Sequence, residues 1–149
     1  DLSVAEEAIM RGVRYFREDP KADLVIGSRQ LPESTIVASQ PFLRLFLGYG
    51  FWYLARFLLG PWRITDFTLG FKMFRKSAAR DIFLRQFDNH YVAEAEIVYV
   101  ANKRGWKIQE LPVIWTDNRD SRVRPFFDSI RSFGGIMQTL WRNRRGVYN

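Results

Sequence analysis

The chain has 149 residues, enough for one domain or part of one. Hydrophobic residues make up 47% and can fill a core, aromatics make up 16%, and the formal net charge is +7. There is no cysteine, which excludes disulfides, thiol catalysis and cysteine-based zinc sites and leaves the compartment open.

The charge is uneven. Arg outnumbers Lys by 18 to 5, and residues 119–145 hold seven Arg against two Asp. Arg is the better bidentate partner for phosphate. An asymmetry of this kind suggests an anionic partner: nucleic acid, a phosphorylated substrate or an anionic membrane. Residue 1 is not Met, so the chain is expected to begin inside a longer protein.

The opening DLSVAEEAIMRGVRYF carries a capping box, Ser3 with Glu6, followed by Val4, Ile9, Val13 and Phe16 at roughly helical spacing. A turn and the apolar run at 24–26 follow, ending in Gly27-Ser28-Arg29. That pattern predicts a buried strand whose end delivers a polar loop. Residues 30–40 read as a loop. Pro41 then opens a helix over 41–60 with Arg44 and Arg56 as its only charges. A helix apolar all round is either central core or lipid-facing. Its two Arg and two Gly argue against a full span, and an interfacial helix fits better.

Residues 70–75 alternate and read as a strand. Ser77 is expected to cap a helix reaching about Phe87, and a second helix over 91–104 closes at Gly105. Residues 107–116 read as one strand near a sheet edge, because Pro112 cannot donate to a ladder. A basic loop, 117–124, leads to a last amphipathic helix over 125–145 that ends in Trp141 and an Arg cluster. That combination suits a membrane surface.

The segment DFTLGFKMFRKSAARDIF, followed by YVAEAEIVYVANKRGWKIQELPVIWTDNRDSRV, resembles the C-terminal half of family-2 glycosyltransferases that charge polyprenyl or dolichyl phosphate with glucose or mannose. The IGSR at 26–29 matches as well, so the resemblance covers nearly the whole chain. It implies an α/β fold: the C-terminal part of a GT-A-like, Rossmann-like domain, with membrane-surface helices at 41–60 and 125–145. It implies one domain over 1–149 that is itself a fragment. The activity implied is inverting transfer of a hexose from a nucleotide-sugar to a polyprenyl or dolichyl phosphate, at the cytoplasmic face of a membrane.

The resemblance also assigns residues. DLS is similar to the end of an Asp-x-Asp motif, which implies that Asp1 holds a divalent cation, Mg or Mn, on the donor diphosphate. Arg29 falls where the family places an arginine for the acceptor phosphate, and Arg44 and Arg122 are further candidates. Relatives often carry Lys at the position of Arg122. Asp66 is implied as an acid lining the site, orienting the acceptor or acting as a base. Phe67-Thr68-Leu69 stands where relatives often have Thr-Gln-Cys, which alters the polar contacts of that loop. Glu94 and Glu96 match an acidic pair. Two positions apart on a helix they point about 200° apart, so only one can face the site, and Glu96 is the expected one. His90 is expected to be structural.

The chemistry fits that assignment. A lipid phosphate is already ionised at neutral pH and needs no strong base. Two anions meeting in one site need cations between them. A membrane-peripheral binding module without catalysis is the alternative. Nucleic-acid binding accounts for the charge but not for the apolar helices, so no nucleic-acid partner is expected.

Overall fold

β1 (Leu24–Ser28) runs through the middle of the molecule with all five residues buried. It carries no charge on either face, so it can be covered on both. In the computed structural model, which describes residues 4, 6–37, 42–60, 63–89, 92–116 and 125–149, β1 has two further neighbours. β3 (Lys72–Phe74) pairs with it antiparallel and β4 (Ile108–Pro112) pairs with it parallel. The order β3-β1-β4 leaves β4 at an edge, as Pro112 predicts.

Side chains alternate across β1. Leu24 and Ile26 enter a core shared with Phe67, Val98, Ile136 and Tyr148. Val25 enters the opposite one, with Leu111, Val113 and Trp115. α1 (Glu7–Glu18) covers that second face and rests on β1 and β4. The first core is closed by α2 (Phe42–Leu59), α3 (Lys76–Phe83), α4 (Ala93–Lys103) and α5 (Pro125–Arg144). The result is a mixed α/β fold with a mixed sheet flanked by helices, as the sequence predicts.

Three local expectations change. The loop expected at 30–40 contains β2 (Thr35–Ile36), which pairs parallel with β5 (Ile114–Trp115). The single strand expected over 107–116 therefore divides at the buried Val113. There the backbone leaves β1, and the Val113 carbonyl accepts from Thr35 N at 3.0 Å. α3 starts at Lys76, before Ser77, and stops at Phe83. It cannot reach Phe87, because the N–H groups of Phe87 and Asp88 are taken by Glu96 at 3.0 and 2.7 Å. Ser3 lies outside the described residues, and Glu6 makes no side-chain cap to α1. α4 ends as expected, with Gly105 at a φ of +78°.

α2 and α5 pack against each other. Their outer faces share one pattern. On α2, Phe46, Tyr49, Tyr53 and Phe57 are exposed, the last by 71%. On α5, Ile130, Phe133, Met137 and Trp141 are exposed at the same spacing of three, four and four residues. The inward residues Ala55, Leu59 and Ile136 are buried. Both helices are thus anchored in the core along one side and apolar on the other. Among the described residues, no helix is long and apolar enough to cross a membrane.

Candidate functional site

The site forms where β1 ends. Gly27 is squeezed there: a Cβ would stand 2.9 Å from both Leu69 Cδ2 and Val113 Cγ1. Glycine lets the strand pass this close, and Arg29 emerges two residues later. Its guanidinium meets Asp66 side-on. Nε donates to Oδ2 at 2.7 Å and Nη2 to Oδ1 at 3.0 Å, and the Arg29 backbone N–H adds a third bond to Oδ2 at 3.1 Å. Nη2 also donates to Thr68 Oγ1 at 2.9 Å. Among the described residues, Nη1 makes no hydrogen bond. The guanidinium lies over the Trp115 ring at 5.3 Å.

Asp66 is 1% exposed. Burial alone would raise its pKa, but the hydrogen bonds and charge of Arg29, with Thr68 assisting, outweigh that and hold it below the usual value. Asp66 is therefore an ionised, arginine-bound carboxylate and a weak base.

The chain at 64–66 is gripped from two sides. The Glu110 carboxylate accepts from Thr65 N at 2.9 Å, Thr65 Oγ1 at 2.7 Å and Asp66 N at 3.0 Å. From α2, Trp52 Nε1 donates to the Thr65 carbonyl at 3.0 Å and Arg56 donates to the Ile64 carbonyl at 2.8 Å. Trp52 also stacks on Phe67, 6.1 Å between centroids. Beside this loop lies an open groove of about 620 Å³, lined by Gln30, Trp52, Tyr53, Arg56, Phe57 and Thr65. Tyr53 and Phe57 belong to the exposed stripe of α2, so the groove opens onto that apolar face.

A second charged pair adjoins the first. Lys72 on β3 is almost wholly enclosed and pairs with Glu94 at 2.5 Å. Burial pushes its pKa down, while Glu94 and then Asp66 push it up and Arg29 pushes it down. Lys72 thus feels both members of the Arg29–Asp66 pair. A Cβ on Gly70 would stand 3.8 Å from Glu94 Oε1, which brings the glycine of the Gly-Phe-Lys turn to the same acid.

Glu96, the acid expected to face the site, does not join this cluster. It is wholly buried on the other side of α4. There it takes the Phe87 and Asp88 amides and the Tyr148 hydroxyl, with Arg142 Nη1 at 3.6 Å. Of the pair, Glu94 is the one tied, through Lys72 and its bond to the Leu69 carbonyl, to the loop that follows Asp66.

Arg29 and Asp66 are thus brought together. Asp1 and Arg122 lie outside the described residues, as does His90. Arg44 lies on α2, in the stretch whose side chains are not described. Among the described residues, no group of three or more His, Cys, Asp or Glu gathers to hold a metal. The nearby acids are already committed, Asp66 to Arg29 and Glu110 to the loop amides.

Sequence reading gave no role to Glu110, Trp52, Arg56 or Lys72. For Glu110 a signal existed: an acid inside a strand, between Gln109 and Leu111. Lys72 stands in the Gly-Phe-Lys of the segment that carries the resemblance. Trp52 and Arg56 carry no such signal, because their partners are backbone carbonyls.

Neither a family model nor a solved structure matches the chain. Curated proteins do. A dolichyl-phosphate beta-glucosyltransferase of Dictyostelium discoideum is 35% identical over 126 residues, 84% of this chain and 38% of that protein. Its namesake in Homo sapiens is 32% identical over 122 residues, 81% of this chain and 37% of that protein. The one in Saccharomyces cerevisiae is 30% identical over 129 residues, 86% and 38% respectively. The chain spans little more than a third of the length of these relatives. Over that span the chain is similar to proteins named dolichyl-phosphate beta-glucosyltransferases.

Proposed function

We propose that this chain supplies the acceptor side of a family-2 glycosyltransferase that moves a hexose, with inversion, from a nucleotide-sugar to a polyprenyl or dolichyl phosphate at the cytoplasmic surface of a membrane. The observation that carries the reading is Arg29, held at a strand end by a buried, ionised Asp66 beside an aromatic groove. The names of the relatives support the choice of acceptor.

In this reading Arg29 takes the acceptor phosphate through the N–H groups that Asp66 leaves over, and Asp66 sets the guanidinium plane. The phosphate attacks without needing a base. Arg44 and Arg122 add positive charge around it, which lowers the repulsion between acceptor and donor diphosphate. A divalent cation, Mg or Mn, would be held by Asp1 and would neutralise the donor's leaving group. Glu96 is given no part in the reaction. The apolar stripes of α2 and α5 rest on the bilayer, and the exposed Arg144 and Arg145, at and just past the end of α5, meet anionic headgroups.

The exposed apolar stripes of α2 and α5 serve equally a second reading, a membrane-peripheral module that binds lipid phosphate without transferring sugar. Titrating farnesyl phosphate into the chain, followed by the ³¹P chemical shift, tests both. Saturable binding lost in Arg29→Ala is expected, and absence of binding to the wild-type chain defeats both readings. A transfer assay with labelled nucleotide-hexoses then separates them: label moving to the lipid phase selects the enzyme.

A further inference from the structure

We infer that Glu110 is a positioning residue, which sets the geometry of the Arg29–Asp66 pair without touching the acceptor; this rests on the reading of that pair as a phosphate site. Glu110 stands on β4 directly opposite Ile26 of β1, near the strand ends from which the site hangs. Its carboxylate gathers two separate chain segments.

The first segment is the Asp66 loop. Glu110 accepts both consecutive amides, Thr65 N and Asp66 N, and so fixes the peptide plane that leads into the Asp66 side chain. The second is the Arg29 turn. The Thr65 hydroxyl gives its proton to Glu110 at 2.7 Å. With that proton committed, the Ser28 hydroxyl must be the donor in the 2.7 Å contact with Thr65 Oγ1. Ser28 Oγ in turn accepts from Gln30 N at 3.2 Å. A directed chain therefore runs from the Gln30 amide through Ser28 and Thr65 to Glu110, spanning both sides of Arg29.

One carboxylate thus orders the backbone before the Asp66 side chain and the turn around Arg29. Three of these contacts, from Thr65 N, Thr65 Oγ1 and Asp66 N, converge on Oε1, and Thr65 N reaches Oε2 as well, at 2.9 Å. A neutral amide at position 110 keeps one such oxygen, a weaker acceptor for three donors, and turns an N–H₂ group toward the Thr65 amide in place of Oε2. It cannot take the same bonds. The expected result is a displaced Arg29–Asp66 pair in a folded protein.

The test compares farnesyl phosphate with farnesol, its uncharged alcohol, on wild type, Glu110→Gln and Thr65→Val. A purely structural role would weaken both ligands together or only lower the melting temperature. The positioning role predicts that Glu110→Gln loses about tenfold of the preference for the phosphate while farnesol binds as before. Thr65→Val, which cuts the link to Ser28 and leaves Glu110 in place, shifts the preference the same way by less. An unchanged preference in folded Glu110→Gln overturns the role. If that variant does not fold, an unchanged preference in Thr65→Val overturns it instead. Failure of the wild type to prefer the phosphate overturns the phosphate-site reading itself, and the role of Glu110 with it.

Discussion

Arg29 and Asp66 face each other through two parallel N–H···O contacts, 2.7 and 3.0 Å, with the acid buried and the base a quarter exposed. A pair in this geometry is asymmetric in what its loss costs. Removing the arginine leaves a buried carboxylate without its counter-charge, at a cost of about 2–4 kcal/mol after allowing for the solvent at Arg29. Arg29→Ala is therefore expected to lower the denaturant midpoint and to abolish farnesyl phosphate binding. A full-strength binder among Arg29→Ala preparations would contradict the assignment.

The same pair fixes the sign of an acid response. Asp66 has a folded pKa below its ordinary 3.8, because the pull of Arg29 exceeds the push of burial. Its contribution to stability is present above the ordinary value and is lost as pH falls through the lower, folded one. Urea midpoints at about pH 6 and about pH 3 should show a steeper loss for the wild type than for Asp66→Asn. Equal slopes would show that Asp66 does not titrate as a paired acid.

The outer stripes of α2 and α5 make a prediction about lipid. Phe57, 71% exposed, and Tyr53, 66% exposed, contribute little to packing. Tyr53→Ser with Phe57→Ser should leave the melting temperature unchanged yet weaken flotation with anionic vesicles by about tenfold or more. Trp141→Ser should act in the same direction. Undiminished flotation in these variants would rule out the stripes as the contact face.

Glu96 calls for a different experiment. Burial, together with the carboxylate it donates to, raises the pKa of Tyr148, so its hydroxyl stays protonated and tied to α4. Tyr148→Phe deletes that donor and should cost about 1–2 kcal/mol in a denaturant titration. Farnesyl phosphate affinity should stay constant, since Glu96 is grouped with the α4–α5 packing rather than with Asp66. A loss of affinity at constant stability would return Glu96 to the site.

Gly27 offers a packing test. Gly27→Ala puts a methyl group against Leu69 and Val113 at 2.9 Å, in the fully buried strand that carries Arg29. A destabilisation of about 1–3 kcal/mol is expected by thermal melting.

Much of this architecture is legible in the residues themselves. The uncharged run at 24–28, the all-round apolar run of α2 and the apolar period of α5 are local signals, and they place the central strand and the two helices. Arg29 and Asp66 could be named because the motifs around them, each weak alone, stand in the order and spacing of the family they resemble. Their pairing could not, since 37 residues separate them and nothing local encodes the approach. The choice between Glu94 and Glu96 turned on which face of α4 meets the sheet. That depends on the tertiary packing of Tyr148 and Arg142, which lie about fifty residues downstream. The β2–β5 pairing was hidden for a similar reason: two-residue strands carry no period to read.

Trp52 and Arg56 hold the carbonyls of 65 and 64 from α2, the helix whose adjoining face is bare aromatic rings. The grip on the backbone and the contact with the surroundings are thus built on one rigid rod. A tilt of that rod pulls, through those two bonds, on the stretch leading to Asp66. Whatever settles the attitude of α2 also trims the arginine's aim.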